Sequence, residues 1–140
     1  MSSDLDLLTD VPAAGQWFGP GLDAPAAARR FARDFVACAG ADQYCQEVTE
    51  LLVSELVTNA IVHAGSTARL WVRAEDGSVR VQVGDDGPGE PRVRLPGNEG
   101  GCGMWLVDNL AWAWGVTKRD GDQVGKTIWF TLPLAAVPGP

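Results

Sequence analysis

The stretch SELVTNAIVHA, residues 54–64, decides how the rest of the chain is interpreted. It belongs to an apolar segment of helical periodicity, about residues 42–63, which predicts a largely buried helix. Glu55 and Asn59 interrupt this helix one turn apart, so their side chains lie side by side. A carboxylate next to a carboxamide oxygen suits a hydrated Mg²⁺, or a water or hydroxyl that needs a base. The alternative is a helix edge that simply reaches solvent.

The composition limits the class of protein. A chain of 140 residues is long enough for one domain with a hydrophobic core. Its formal net charge of −7 argues against nucleic acid as the main partner. It has no apolar run of about eighteen residues that would predict a membrane span. The first residues also lack a basic start followed by an apolar run, so we expect no secretory signal and a cytoplasmic location. Cys38, Cys45 and Cys102 form no CxxC pair and are expected to be reduced thiols.

Hydrophobic periodicity and turn signals predict an α+β fold. The expected helices cover about residues 24–39, 42–63 and 104–111. The expected strands cover about residues 16–18, 68–74 and 79–84, followed by a hairpin formed by WAWGVTKRD and KTIWFTLPL. We therefore predict a two-layer sandwich, with helices packed on one face of a mixed, mostly antiparallel sheet. The predicted organisation is a loose arm, one domain and a short tail, at residues 1–15, 16–135 and 136–140.

A second signal is the segment VRVQVGDDGPGEP, in which an acidic residue follows an apolar strand. Asp85 has the parity of the valines before it, so it leaves the strand on the core-facing side. An ionised aspartate only accepts hydrogen bonds, which suits an amino group of a base such as adenine. Gly87 and Gly89 follow at two-residue steps and leave room for a ring. The alternative is an ordinary surface turn, because this composition is also typical of turns.

A third signal is GGCGMWLV, residues 100–107, a glycine-rich loop that leads into a predicted helix. Such a loop offers free backbone N–H groups and the positive end of a helix dipole to phosphates. The alternative is a flexible connection. The segment GDQVGKT, residues 121–127, has one residue too few between its glycines for a P-loop, and a strand rather than a helix is expected after it.

Taken together, these motifs resemble the GHKL superfamily of nucleotide-binding domains, whose ATP site is the Bergerat fold. The order is ExxxNAxxH on a helix, DxGxG after a strand and GxGM opening a helix. The segments ELVTNA, GMWLVDNLAWAWG and GKTIW are especially similar to the bacterial branch of anti-sigma factors and serine kinases. The resemblance covers about residues 17–134, nearly the whole chain.

The resemblance implies a role for several residues. Asn59 would coordinate the Mg²⁺ that bridges the phosphates of ATP, and Glu55 would act as a base or position the nucleophile. Asp85 would bind the adenine amino group. The remaining residues implied at the nucleotide are Gly87 and Gly89 at the base, Gly101 and Gly103 at the phosphates, and Thr127 near the adenine. His63 matches a position that is often His or Arg in the family, and we expect it to end the helix without a chemical role.

Two features depart from the family pattern. Cys102 stands where relatives in this branch often carry Arg or another polar residue, and a thiol cannot neutralise phosphate charge. The segment that would form a lid, residues 90–100, is short. Arg92 and Arg94 lie in it, and they either reach the phosphates or are solvated.

The resemblance implies a serine/threonine-protein kinase of the anti-sigma type, which uses Mg-ATP to phosphorylate a small antagonist protein. Such proteins also bind a sigma factor and are commonly dimers, so a homodimer is expected. The alternative is a regulator that binds ATP or ADP and holds a protein partner without phosphorylating it. A sensor histidine kinase fragment is disfavoured because the one histidine lies inside the Asn59 helix. A domain with a vestigial pocket is disfavoured by the retained motif residues.

The chain has six tryptophans, a high number for its length. Large aromatic side chains contribute strongly to cores and to interfaces. We expect most of the six to serve packing and one or two to lie at a partner surface.

Overall fold

The computed structural model describes residues 12–63, 65–87, 103–118 and 125–135, which form one five-stranded sheet with helices against it. The strands are β1 (Ala13–Phe18), β2 (Ala68–Glu75), β3 (Ser78–Asp85), β4 (Ala113–Lys118) and β5 (Lys126–Pro133). Their order across the sheet is β1-β2-β3-β5-β4. The predicted α+β sandwich is confirmed. The sheet was expected to be mixed and mostly antiparallel, and each pair of described strands is antiparallel.

The helices agree with the predicted positions. They are α1 (Ala24–Cys38), α2 (Gln43–Thr58) and α3 (Gly103–Leu110). The Asp42 side chain caps α2 by accepting a hydrogen bond from the Cys45 N–H at 2.8 Å, which satisfies a donor that the first turn leaves free. The long helix expected to run to His63 is α-helical only to Thr58, and its final residues, Asn59–His63, form a π-helical turn.

The strands divide the sheet into an inner face, packed against the helices, and an outer face on the opposite side. Burial alternates along β5, where Lys126, Ile128, Phe130 and Leu132 are buried and the residues between them are half-buried. Side chains alternate between the two faces of a strand. The inner face of the sheet therefore joins the buried residues of α1 and α2 in one hydrophobic core.

Two features of the periphery add to the predictions. The first strand begins at Ala13, earlier than the expected residue 16. None of the six tryptophans is fully buried, but three are half-buried, and one of these, Trp114, packs against the core. Three are exposed, namely Trp17, Trp71 and Trp112. Half-exposed indoles are common because the ring is large, but two of these three share the outer face of the sheet.

The thiols of Cys38 and Cys45 are free, as the sequence predicts, and Cys102 lies outside the described residues. Cys38 is exposed and Cys45 is buried. Burial raises the pKa of the Cys45 thiol, and a contact with the Thr49 hydroxyl offsets part of this shift. None of the helices in the described ranges is long and apolar enough to cross a membrane.

Candidate functional site

The carboxylate of Asp85 stands at the end of β3 on the inner face, as its strand parity predicts. Its relative exposure is 4 %. The Gly87 N–H donates a hydrogen bond of 2.8 Å to Asp85 Oδ1, which bends the chain back over the carboxylate. Gly87 is itself buried. A buried acceptor next to a residue without a side chain is the arrangement that the sequence predicts for a base-binding site.

Lys126 is the second charged residue at this position. Its Nζ lies 3.1 Å from Asp85 Oδ1, and the two side chains are 10 % and 5 % exposed. The register explains the contact, because Lys126 is the direct partner of Asp85 across β3 and β5. Within the described residues, both hydrogen bonds to Asp85 reach Oδ1. The other carboxylate oxygen, Oδ2, is therefore the one available to accept from a ligand.

Glu55 and Asn59 lie at the junction between the α-helical and π-helical parts of the second helix. The Asn59 N–H donates to the carbonyl oxygens of Glu55 and Leu56, so the two residues remain one turn apart. Both side chains are half-buried. Leu51 and Val62, which lie on the same stripe, are 40 % and 54 % exposed. The polar pair thus lies on a stripe that borders solvent, while the opposite stripe, with Val53, Leu56, Val57 and Ala60, is buried. Single π-helical turns are frequent at functional sites.

Ser66 connects this helix end to the Asp85 segment. Its N–H donates to the Ala60 carbonyl oxygen at 3.0 Å. Its hydroxyl oxygen accepts from the Asp86 N–H at 3.0 Å and donates to the Thr67 carbonyl oxygen at 2.7 Å. One residue, through its backbone N–H and its hydroxyl group, therefore ties the turn after Asn59 to the residue after Asp85. The two strongest sequence signals meet at the same end of the domain.

Of the glycines in the predicted phosphate loop, Gly103 lies within the described residues. Gly103 is the first residue of α3, and this helix contacts α2. The structure therefore places a helix N-terminus where the sequence predicts one. Gly89 and Gly101 lie outside the described residues, as do Cys102, Arg92 and Arg94. The role of each of these five residues stays a prediction.

Thr127 does not join Asp85. It is the direct cross-strand partner of Gly84, one step along from the Asp85–Lys126 pair. Because neighbouring residues of a strand point to opposite faces, its side chain lies on the outer face, where it lines a cleft with Trp17 and Arg69. Thr127 also lies in β5, which confirms that a strand, and not the helix of a P-loop, includes the end of GDQVGKT.

The residues present fit a magnesium ion held mainly by phosphates. The described residues include no cluster of three His, Cys, Asp or Glu side chains that could hold a metal alone. Mg²⁺ usually keeps several waters and binds through one or two protein groups together with substrate phosphates. One carboxamide oxygen from Asn59, with Glu55 beside it, is compatible with such a site.

Lys126 and Ser66 were not identified from sequence. Lys126 shares the parity of the apolar residues Ile128, Phe130 and Leu132, and this signal alone places it on the inner face. The resemblance to the GHKL superfamily drew attention to Thr127 instead. Ser66 lies in a turn whose local sequence contains no sign of its long-range hydrogen bond, so only the tertiary structure identifies it.

We expect Lys126→Met to lower the free energy of unfolding by about 1–2 kcal/mol, because it leaves the buried Asp85 carboxylate without its counter-charge. The loss is moderate because the hydrogen bond from the Gly87 N–H remains. Urea denaturation measures it. The double variant Asp85→Asn, Lys126→Met removes both charges and should be more stable than the sum of the single changes predicts. Strict additivity would show that the two residues are not coupled.

The comparisons with known proteins agree with this geometry. A family model described as the histidine kinase-like ATPase domain matches residues 20–132. Among solved structures, the chain is similar to the crystal structure of the RsbU and RsbW domains of Rv1364c from Mycobacterium tuberculosis, with a TM-score of 0.64 and 21 % sequence identity. The match covers 91 % of this chain and 35 % of that one, and at this identity it shows the fold. No curated protein matches the sequence.

Proposed function

Because the chain belongs to the histidine kinase-like ATPase domain family, we propose that it binds Mg-ATP at the end of the sheet where Asp85, Ser66 and Asn59 meet. The observation that carries this proposal is the buried Asp85 carboxylate, which is 4 % exposed and is followed by the buried Gly87. A buried charge is costly unless it is paired and used. Lys126 pairs one oxygen, and the other oxygen accepts the adenine amino group.

The remaining groups serve the phosphates. Asn59 supplies an oxygen ligand to the Mg²⁺ between them. Backbone N–H groups of Gly101 and Gly103, together with the N-terminal end of α3, bind phosphate oxygens. Thr127, which lies on the outer face, is left without a role at the base. The hydrogen-bonded link through Ser66 keeps the base and metal sites in register.

The proposed output is phosphoryl transfer to a serine or threonine of a small antagonist protein, with binding of a sigma factor as a second activity. This proposal rests on the motif resemblance and on the likeness to a structure that includes an RsbW domain. Glu55, beside Asn59, accepts or orients the hydroxyl proton of the nucleophile. A homodimer, a cytoplasmic location and a role in transcription regulation in a bacterium belong to the same proposal.

A regulator that binds ATP or ADP without transferring phosphate is the second candidate. Most of the described site groups favour this candidate because their roles are in binding: Asp85 accepts from the base, Asn59 binds the metal ion and α3 presents its N-terminus. Among them, only Glu55 has a role that is specific to phosphoryl transfer. The two candidates therefore differ in the consequence of removing the Glu55 carboxylate.

Calorimetric titration of ATP, with and without Mg²⁺, tests the proposed site. We expect saturable binding that Mg²⁺ strengthens about tenfold or more, and we expect Asn59→Ala to remove this strengthening, a change of about 1.4 kcal/mol. Asn109→Ala is the matched control, because Asn109 is exposed and its side chain bonds the Trp105 carbonyl oxygen away from the site. The proposed function is wrong if the folded protein binds no ATP. Equal strengthening by Mg²⁺ in Asn59→Ala would overturn the metal assignment.

A further inference from the structure

Lys126 has more hydrogen-bonding capacity than its described contacts use. A lysine ammonium group has three N–H donors and no acceptor. Within the described residues, Lys126 uses one of them, in its 3.1 Å contact with Asp85 Oδ1. Its side chain is 10 % exposed, so solvent reaches little of the other two donors. Leaving a buried donor without an acceptor is costly, and more so when the donor is charged. Lys126 is therefore able to donate to a ligand that binds beside Asp85.

Folding stability does not explain a lysine at this position. The other residues of β5 on the inner face are the buried apolar residues Ile128, Phe130 and Leu132. Replacing a buried ion pair by well-packed apolar side chains is often neutral or stabilising. An apolar residue at position 126, with an apolar partner at position 85, would therefore serve the core at least as well. The charged pair calls for a role at the ligand.

The register of the sheet brings Lys126, and not Thr127, to the side of Asp85. Lys126 is the direct cross-strand partner of Asp85, whereas Thr127 is the partner of Gly84. Neighbouring residues of a strand point to opposite faces, so only one of the two β5 residues can reach the inner face. The resemblance predicts Thr127 near the adenine, but the residue that contacts the buried aspartate is the lysine.

Asp85 and Lys126 together present an acceptor next to a donor. The described hydrogen bonds to Asp85 use Oδ1, so Oδ2 is the acceptor, and the donor is Lys126 Nζ beside the same carboxylate. Adenine offers the complement, because its amino group is a donor and a ring nitrogen acceptor stands on each side of it, N1 on one and N7 on the other. Side chains that read adenine in nucleic acids also place an acceptor beside a donor. The pair can therefore contact the base at two points.

The charge of Lys126 also suits a neutral base. Adenine carries no charge at neutral pH, so it cannot balance the Asp85 carboxylate when it displaces water from the site. A buried carboxylate without a counter-charge is costly. With Lys126 paired to Oδ1, the two side chains have no net charge, and Oδ2 can still accept from the amino group. The base can therefore replace water without leaving an unbalanced charge.

We propose that Lys126 determines base specificity: its ammonium group donates a hydrogen bond to a ring nitrogen next to the adenine amino group, while Asp85 accepts from the amino group itself. This role rests on the proposed binding of ATP at Asp85 and adds a second contact to the base. It makes the site specific for a base that presents a donor and an adjacent acceptor.

Analogues of ATP that lack one ring nitrogen test this contact. Calorimetric titration compares Mg-ATP with 1-deaza-ATP, 7-deaza-ATP and 3-deaza-ATP, in each of which a C–H group replaces one nitrogen. In the wild type we expect either the 1-deaza or the 7-deaza analogue to bind about tenfold or more weakly than ATP, because a hydrogen bond from a charged donor is lost. The 3-deaza analogue should bind like ATP, because N3 lies away from the amino group.

The variant Lys126→Met identifies the donor. Without the ammonium group, ATP and the sensitive analogue should bind with equal affinity. The readout is a ratio of two affinities in one protein, so a general loss of stability or of affinity cancels. Lys118→Met is the matched control, because Lys118 is exposed and lies directly opposite Lys126 on β4. This control should keep the wild-type ratio.

Two results would overturn the role of Lys126 while ATP binding persists. Equal binding of ATP and all three analogues to the wild type would show that no ring nitrogen is read, and this comparison needs no variant that has to fold. Unchanged ratios in folded Lys126→Met would show that the lysine only balances the charge of Asp85. A folded wild type that binds no ATP is a different outcome, because it removes the proposed nucleotide site and the role of Lys126 with it.

Discussion

Asp85→Asn is expected to weaken ATP binding about a hundredfold, which corresponds to about 2.7 kcal/mol. The carboxylate is 4 % exposed and can only accept hydrogen bonds. Asparagine replaces one oxygen by an NH₂ donor. In one orientation of the amide this donor faces the adenine amino group, and in the other it faces Lys126. In both orientations a charge-assisted hydrogen bond is lost. Calorimetric titration of Mg-ATP into both proteins measures the change.

The control for this prediction is Asp86→Asn. Asp86 follows Asp85 in the chain, is exposed and loses the same charge on substitution, so its variant should keep the wild-type affinity. Thermal unfolding followed by circular dichroism verifies that Asp85→Asn remains folded at the temperature of the titration. Wild-type affinity in folded Asp85→Asn would place the base away from the end of β3.

Glu55→Gln is expected to reduce phosphoryl transfer by about 10²–10⁴-fold, the usual contribution of a positioned general base. Glutamine keeps the shape of the side chain but cannot accept the proton of a hydroxyl group or of water. ATP affinity should stay close to wild type, because Glu55 lies beside the metal ligand Asn59 and not at the base. Release of the γ-phosphate from Mg-ATP in a single turnover measures the effect without a protein partner.

Glu47→Gln is the matched control for Glu55→Gln. Glu47 lies about two turns earlier on α2, is exposed, and among the described residues bonds Gln43. It should leave phosphate release unchanged. Wild-type ATP binding without any phosphate release, either to water or to an added antagonist protein, would favour the binding-only regulator. Equal rates in wild type and Glu55→Gln would remove Glu55 from the proposed chemistry.

Local sequence patterns were sufficient to predict the helices and strands and part of the candidate site. The parity of the valines in β3 predicted that Asp85 faces the core, and the structure confirms its burial. The spacing of Glu55 and Asn59 predicted neighbouring side chains, and the hydrogen bond from the Asn59 N–H to the Glu55 carbonyl oxygen confirms the helical turn between them. These inferences hold because side-chain direction follows backbone geometry within a single element.

Predictions that depended on neighbouring elements were less successful. The continuous helix was expected to reach His63, but it changes to a π-helical turn at Asn59, where Ser66 bonds back to Ala60. Most tryptophans were expected to serve packing, but the sequence did not indicate the surface, and glycines on the neighbouring strands leave room for Trp71 and Trp129 to lie flat on the outer face. Composition indicates the size of a side chain but not the surface that it packs against.

The sequence by itself determined that this chain is an α+β domain with a Glu–Asn helix, a buried aspartate after a strand and a glycine-led helix. Each of these features depends on periodicity and spacing over a few residues. The tertiary structure alone decided that Lys126 pairs with Asp85 across β3 and β5. Strand register sets this pairing, and a shift of one residue would bring a different residue of β5 opposite Asp85. Register depends on contacts between distant segments, and no local stretch of sequence contains them.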